Sequence, residues 1–182
     1  MSILNLAATI FSIYFFLTVI MAHLLKRECI LKRDSLSRYA IGKWGFMVTS
    51  GFIFIGLSQV IISWGFFNMG NIIPAILIFI SAIGVWIVGL FRISEKRCLL
   101  LIHETGATIY FLFFSLALLY FSLFLSKNIF TLVIGGLTLI LLLGMKWSYP
   151  DRYKKNSKFA RIQKINILFI NIWLILFPII GL

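Results

Sequence analysis

Along this chain, long apolar runs alternate with short polar or basic joints. A helix crossing a bilayer needs about 20 apolar residues. Six runs reach that length: Ile3–Leu25, Trp44–Phe67, Ile72–Phe91, Leu99–Leu125, Ile129–Trp147 and Ile165–Leu182. With no water to satisfy backbone N–H and C=O groups in lipid, such continuous spans must be helices. The joints Asn68-Met69-Gly70-Asn71 and Ser126-Lys127-Asn128 are short and rich in turn-formers, so each forces antiparallel neighbours. The predicted fold is an all-α integral membrane protein. It is one polytopic domain over residues 1–182, folded as a six-transmembrane-helix antiparallel bundle.

Composition agrees with the pattern. Apolar residues make up 62% of the chain and charged residues 12%, with a mean hydropathy of +1.07. A soluble core could not hide that much apolar surface in 182 residues. The formal charge of +12 would suit a nucleic-acid partner only as a basic face on a folded soluble domain. Here the cations cluster between spans, which excludes nucleic acid and points to membrane topology. Every lysine and arginine except Lys127 falls in the first, third or fifth joint or at its edge. The positive-inside rule then puts these joints in the cytoplasm and both termini on the non-cytoplasmic side of a cytoplasmic (inner) membrane of bacterial type. No basic stretch precedes the first apolar run, so the N-terminal segment does not read as a cleaved signal peptide. The longer basic joints, with Tyr39, Trp44, Trp147, Tyr149 and Tyr153 at headgroup level, predict contact with anionic phospholipid of the bilayer.

That topology gathers the chemically unusual residues at one end. His23, His103, Cys29, Cys98 and all the acidic residues belong to the cytoplasmic half. Such residues make metal sites and proton-transfer sites. However, no C-x-x-C, H-x-x-x-H or H-E-x-x-H spacing occurs, so the sequence assigns no metal and no cofactor. A haem between His23 and His103 is allowed by depth but has no supporting motif. On the reducing side, Cys29 and Cys98 are expected as free thiols.

His103 and Glu104 open the fourth span. They are either a helix entry held by an ion pair to Arg92, Lys96 or Arg97, or a catalytic pair with His103 as acid or base and Glu104 orienting it. Gly106 and Ala107 would admit a neighbouring helix closely. Gln59 and Asn171 fall nearest the bilayer centre and read as interhelical hydrogen bonders, with ligand contact as the alternative. His23, Gln59, Gly106 and Asn171 are therefore the candidate ligand-binding residues. No lysine, arginine or aspartate lies at the midplane, and no inverted repeat or paired broken helices occur, which argues against a carboxylate-driven pump.

Gly89-Leu90-Phe91, then His103, Gly106 and Ala107 followed by aromatics, together with the run Tyr39–Phe46, form a recurring pattern. Over Tyr39–Leu125 this resembles a prokaryotic six-span membrane protein family of unknown function, distantly similar to the DRAM/Frag type. The resemblance implies a compact six-helix bundle with the histidine at an interfacial helix start, and no reaction. Three functions follow. The first is a non-enzymatic accessory subunit that binds lipid, a membrane-protein partner or a second copy. The second is a membrane-embedded enzyme acting on a lipid headgroup through His103 and Glu104, and the third a small-molecule transporter or channel.

Overall fold

The computed structural model describes residues 2–26, 29, 34–91, 97–151 and 157–180. Among them are six long α-helices and no strand. They are α1 (Ile3–Leu25), α2 (Gly45–Asn68), α3 (Ile72–Leu90), α4 (Arg97–Tyr120), α5 (Ile129–Ser148) and α6 (Lys158–Ile180). All six are long and apolar enough to cross a membrane. The bundle exposes large apolar side chains around its waist, including Ile10, Phe79, Ile140 and Leu143, as a surface bathed in hydrocarbon requires. This is a multi-pass membrane protein.

Local chemistry sets the helix ends. Ser2 Oγ accepts from Asn5 N–H at the start of α1, and Asn128 Oδ1 accepts from Thr131 N–H at the start of α5. Gly70, with φ +77°, turns the chain between α2 and α3. After α4 the backbone widens into a π-helical turn at Phe121–Ser126, and Lys127 in the left-handed region ends it.

The last span departs from its expected start. Ile165 opens the uninterrupted apolar run, but α6 begins at Lys158, where Ser157 Oγ accepts from Ala160 N–H. The added two turns are amphipathic: Phe159 and Ile162 are partly buried, while Lys158 and Arg161 are exposed. A search for continuous hydropathy stops short of such turns. At the other edge Lys146 also lies within a helix, α5, so the basic joint between the last two spans is shorter than the charge pattern suggests.

Each helix packs on its neighbours in sequence, and α6 returns against α1 to close a ring. Small residues allow the approach. A methyl on Gly56 would lie 2.1 Å from Trp86 Nε1, and one on Gly51 2.3 Å from Thr18 Oγ1. Hydrogen bonds cross between spans: Trp86 Nε1 to the Ile53 carbonyl, Ser81 Oγ to the Tyr110 carbonyl, Ser115 Oγ to Thr138 Oγ1, and Trp173 Nε1 to Thr131 Oγ1.

The two ends differ. Away from the basic end, Phe66, Phe121, Trp173 and Phe177 interlock, with Trp173 and Phe177 stacked at 4.3 Å. At the basic end, the described stretch 34–44 that leads into α2 packs into the bundle. Its 3-10 turn, Leu36–Ala40, is held by the Leu36 N–H to Gln163 Oε1, and by Lys26 Nζ donating to the Tyr39 and Ile41 carbonyls. Tyr39 is therefore fully buried in protein rather than resting among headgroups.

Candidate functional site

The basic end of α4 presents Glu104, Ala107, Thr108 and Phe111 along one stripe, at the i, i+3, i+4 and i+7 spacing of a helix face. Leu142, Met145, Lys146 and Tyr149 repeat that spacing along α5 and just beyond it, and Phe159 and Gln163 close the third side from α6. Between them is a cleft of about 300 Å³. Its floor is apolar and its rim polar. The Tyr149 hydroxyl donates to Glu104 Oε1, Lys146 Nζ donates to Thr108 Oγ1 at 3.2 Å, and Thr108 Oγ1 donates to the Glu104 carbonyl at 3.0 Å. A carboxylate, an ammonium, two hydroxyls and a carboxamide thus converge on one opening at the level where a span meets the headgroups. Concave sites with an apolar body and few convergent polar groups are where small ligands bind.

A family profile described as a protein of unknown function, DUF998, matches residues 9–179. The chain belongs to the DUF998 family. No curated protein and no solved structure matches it. The match runs from within α1 to within α6, so the family is defined by the whole bundle rather than by an insertion.

In this DUF998 protein the residues predicted from sequence fall into three groups. Glu104 lines the α4–α5–α6 cleft. His103, the next residue back, is turned about 100° around the helix axis. It is buried, and its Nδ1 lies 2.6 Å from the Phe91 carbonyl, which can only accept, so Nδ1 carries the proton. His103 thereby caps the last turn of α3 and does not line the cleft. Arg92 and Lys96, weighed as ion-pair partners of Glu104, lie outside the described residues. Gly106 faces α3, where a methyl would meet Ile87 Cγ2 at 2.5 Å, so it serves close packing.

His23 and Asn171 come together elsewhere, on a second cleft between α1 and α6 that Lys164 also lines. The His23 Nδ1–H donates to the Val19 carbonyl at 2.8 Å, and the ring stacks on Tyr39 at 4.5 Å. Burial pushes the Tyr39 phenol up to about 12, with the negative charges of Cys29 and Asp34 adding to it, so the ring stays neutral. Gln59 is fully buried in α2, and neither of its amide atoms is hydrogen-bonded among the described residues. It lines neither cleft. Among the described residues, no three His, Cys, Asp or Glu side chains gather as metal ligands, and Cys29 and Cys98 form no disulfide.

Sequence reasoning missed Thr108, Lys146, Tyr149 and Gln163. The cation and the tyrosine read as topology signals and headgroup anchors. The available signal was the shared stripe of Glu104 and Thr108, matched by that of Lys146 and Tyr149 one span later.

Proposed function

We propose that this protein is a non-enzymatic accessory subunit of the inner membrane that binds the polar head of an amphiphile in the α4–α5–α6 cleft. The observation carrying this reading is the cleft itself: an apolar floor of Phe111, Leu142 and Met145 beneath the polar rim of Glu104, Thr108, Lys146 and Tyr149. A rim holding both a carboxylate and an ammonium suits a headgroup bearing both charges or several hydroxyls. The charge pattern of the sequence supports a cytoplasmic position for this end, with both termini outside and the basic joints against anionic lipid. The distant similarity to the DRAM/Frag type rests on the motif of His103, Gly106 and Ala107 and supplies no reaction.

Native mass spectrometry of the protein released from membranes in gentle detergent tests the binding. A retained amphiphile is expected, and Ala107→Phe, which fills the cleft, should displace it. A wild-type protein that emerges bare after incubation with a total lipid extract of its membrane would refute the reading.

One observation favours the enzymatic alternative. Tyr149 donates to Glu104 inside the cleft, which is the arrangement of an acid and a base sharing a proton. On that reading Glu104 and Tyr149 act on the headgroup and His103 fixes the helix that carries Glu104. An unchanged membrane lipid profile in cells carrying Glu104→Gln at wild-type abundance would remove it.

A further inference from the structure

The polar groups of the α4–α5–α6 cleft are stacked in a fixed order with depth. Nearest the basic end, Tyr149 donates to Glu104, and the Tyr149 ring meets that of Phe159 at 5.9 Å. From this level α4 and α6 run into the membrane, and α5 arrives from it. Thr108 follows Glu104 by one helical turn, Gln163 follows Phe159 by one turn, and Lys146 precedes Tyr149 by nearly one, so all three lie about 4–6 Å deeper. Lys146 Nζ donates to Thr108 Oγ1 at 3.2 Å, which fixes the ammonium at this second level. Roughly one turn further in, Phe111 and Leu142 make the apolar floor.

Each level suits a different part of a ligand. At the second, a lysine ammonium has about three N–H donors, and Thr108 takes one from Lys146. Gln163 is 5% exposed and lines the cleft; its Oε1 accepts from the Leu36 N–H at 3.1 Å, and its Nε2 has no hydrogen-bond partner among the described residues. A buried amide donor and an ammonium at one level call for an anionic acceptor. At the outer level the Glu104 carboxylate and the Tyr149 oxygen offer acceptors instead. A carboxylate accepts at about four sites, so Glu104 takes a further donor while keeping the bonds it has. From floor to mouth the cleft runs apolar, donor, acceptor. A phospholipid with an amine head runs chain, phosphate, ammonium in the same direction.

The geometry points to a glycerophospholipid whose head carries a primary ammonium, of which phosphatidylethanolamine is the simplest. Its phosphate accepts from Lys146 Nζ and Gln163 Nε2, and its ammonium donates to Glu104 one turn nearer the water. A cleft of about 300 Å³ takes the head and not the chains. Lys146 and, nearly a turn below it, Leu143 are exposed on α5, so the chains leave along this edge into the bilayer. Such selection presupposes the amphiphile site proposed above and adds which head it prefers. A trimethylated ammonium has no N–H for Glu104, and a glycerol head has no cation for it.

The test is native mass spectrometry of the full chain in detergent, titrated separately with phosphatidylethanolamine, phosphatidylcholine and phosphatidylglycerol of the same acyl chains. Wild type is expected to bind phosphatidylethanolamine about tenfold more tightly than either of the others, the worth of one charge-assisted hydrogen bond. Glu104→Gln should erase the preference over phosphatidylglycerol by weakening phosphatidylethanolamine about tenfold; phosphatidylglycerol, bound as in wild type, then shows that the fold is intact. Lys146→Gln removes the partner of the shared phosphate and should weaken all three lipids alike. Excess glycerophosphoethanolamine, the same head without chains, should leave the lipid in place. Equal binding of the three lipids by wild type, with Ala107→Phe displacing each, would overturn the choice of head and leave the amphiphile site standing. A preference that survives Glu104→Gln would overturn the choice too, and displacement by the chainless head would make the ligand a soluble phosphoester. Wild type that retains no amphiphile at all would overturn both readings.

Discussion

Gly84 and Gly106 meet where α3 crosses α4, so closely that a methyl on Gly84 would stand 2.8 Å from the Gly106 carbonyl oxygen and 2.5 Å from the Tyr110 nitrogen. Those neighbours are backbone and cannot swing aside. In lipid there is no hydrophobic drive between helices, so this close contact, together with the hydrogen bonds from Ser81 Oγ to the Tyr110 carbonyl and from His103 to the Phe91 carbonyl, holds α3 to α4. It also orients α4: with Gly106 against α3, Ala107 and Glu104 turn toward α5 and the cleft.

Gly84→Ala is therefore expected to destabilise the detergent-solubilised protein by about 1–3 kcal/mol, read as a lower melting midpoint. Gly65→Ala and Gly136→Ala are the contrast. A methyl at either meets nothing within 4 Å, so alanine's better helix propensity should leave stability unchanged or raise it. Equal losses at all three positions would mean that the crossing is not set by the glycine.

His103 separates structure from catalysis. Removing its ring leaves the Phe91 carbonyl without its donor at the end of α3, at a cost of about 1–3 kcal/mol. His103→Ala should thus lower the melting midpoint while the amphiphile retained at the α4–α5–α6 cleft stays the same. Loss of that amphiphile with unchanged melting would return His103 to the site.

Much of this architecture is written in the chain. Hydropathy alone places the first five helices to within about a turn, with the π-helical turn Phe121–Ser126 counted as the end of the fourth span. It shortens α6, because the amphipathic turns that follow the Ser157 cap carry Lys158, Arg161 and Lys164, charges that a span search rejects. The site is legible only in part. Glu104 stands out as a carboxylate in an apolar run, and Gly106 as a small residue on a helix face. That His103 and Glu104 diverge follows from helical geometry once both lie in one helix. The pairing of His23 with Asn171 does not, because it depends on α6 returning to α1 across the ring, which no local pattern encodes. Tyr39 misleads for a similar reason. Aromatic residues beside basic joints usually rest among headgroups, but here Lys26 and Gln163 hold the Leu36–Ala40 turn inward.

Gln59 gives an opposite sign to most core substitutions. Its side chain is fully buried, and both amide atoms are without a hydrogen bond among the described residues. The neighbouring residue already serves the α1–α2 contact, since the Ser58 and Ser12 hydroxyls lie 2.9 Å apart. Gln59→Leu should consequently raise stability, by about 1–3 kcal/mol, through removal of a desolvated amide. A clear loss would assign Gln59 a polar partner in the folded protein and revive its candidacy as a ligand residue.

Orientation decides which compartment both clefts meet. The charge asymmetry predicts that the basic end faces the cytoplasm. Asn68 is exposed at the opposite end of α2, whereas Cys98 is exposed at the basic end and Cys29 is partly exposed there. In intact cells, an impermeant thiol reagent should label the Asn68→Cys protein and leave the wild type unlabelled. After the membrane is opened, Cys98 should react as well. Labelling of the wild type in intact cells, with Asn68→Cys adding nothing, would invert the protein and present Glu104 and Lys164 to the outer face. A ligand of either cleft would then have to be sought on the outer side, so this measurement should come before any choice of ligand.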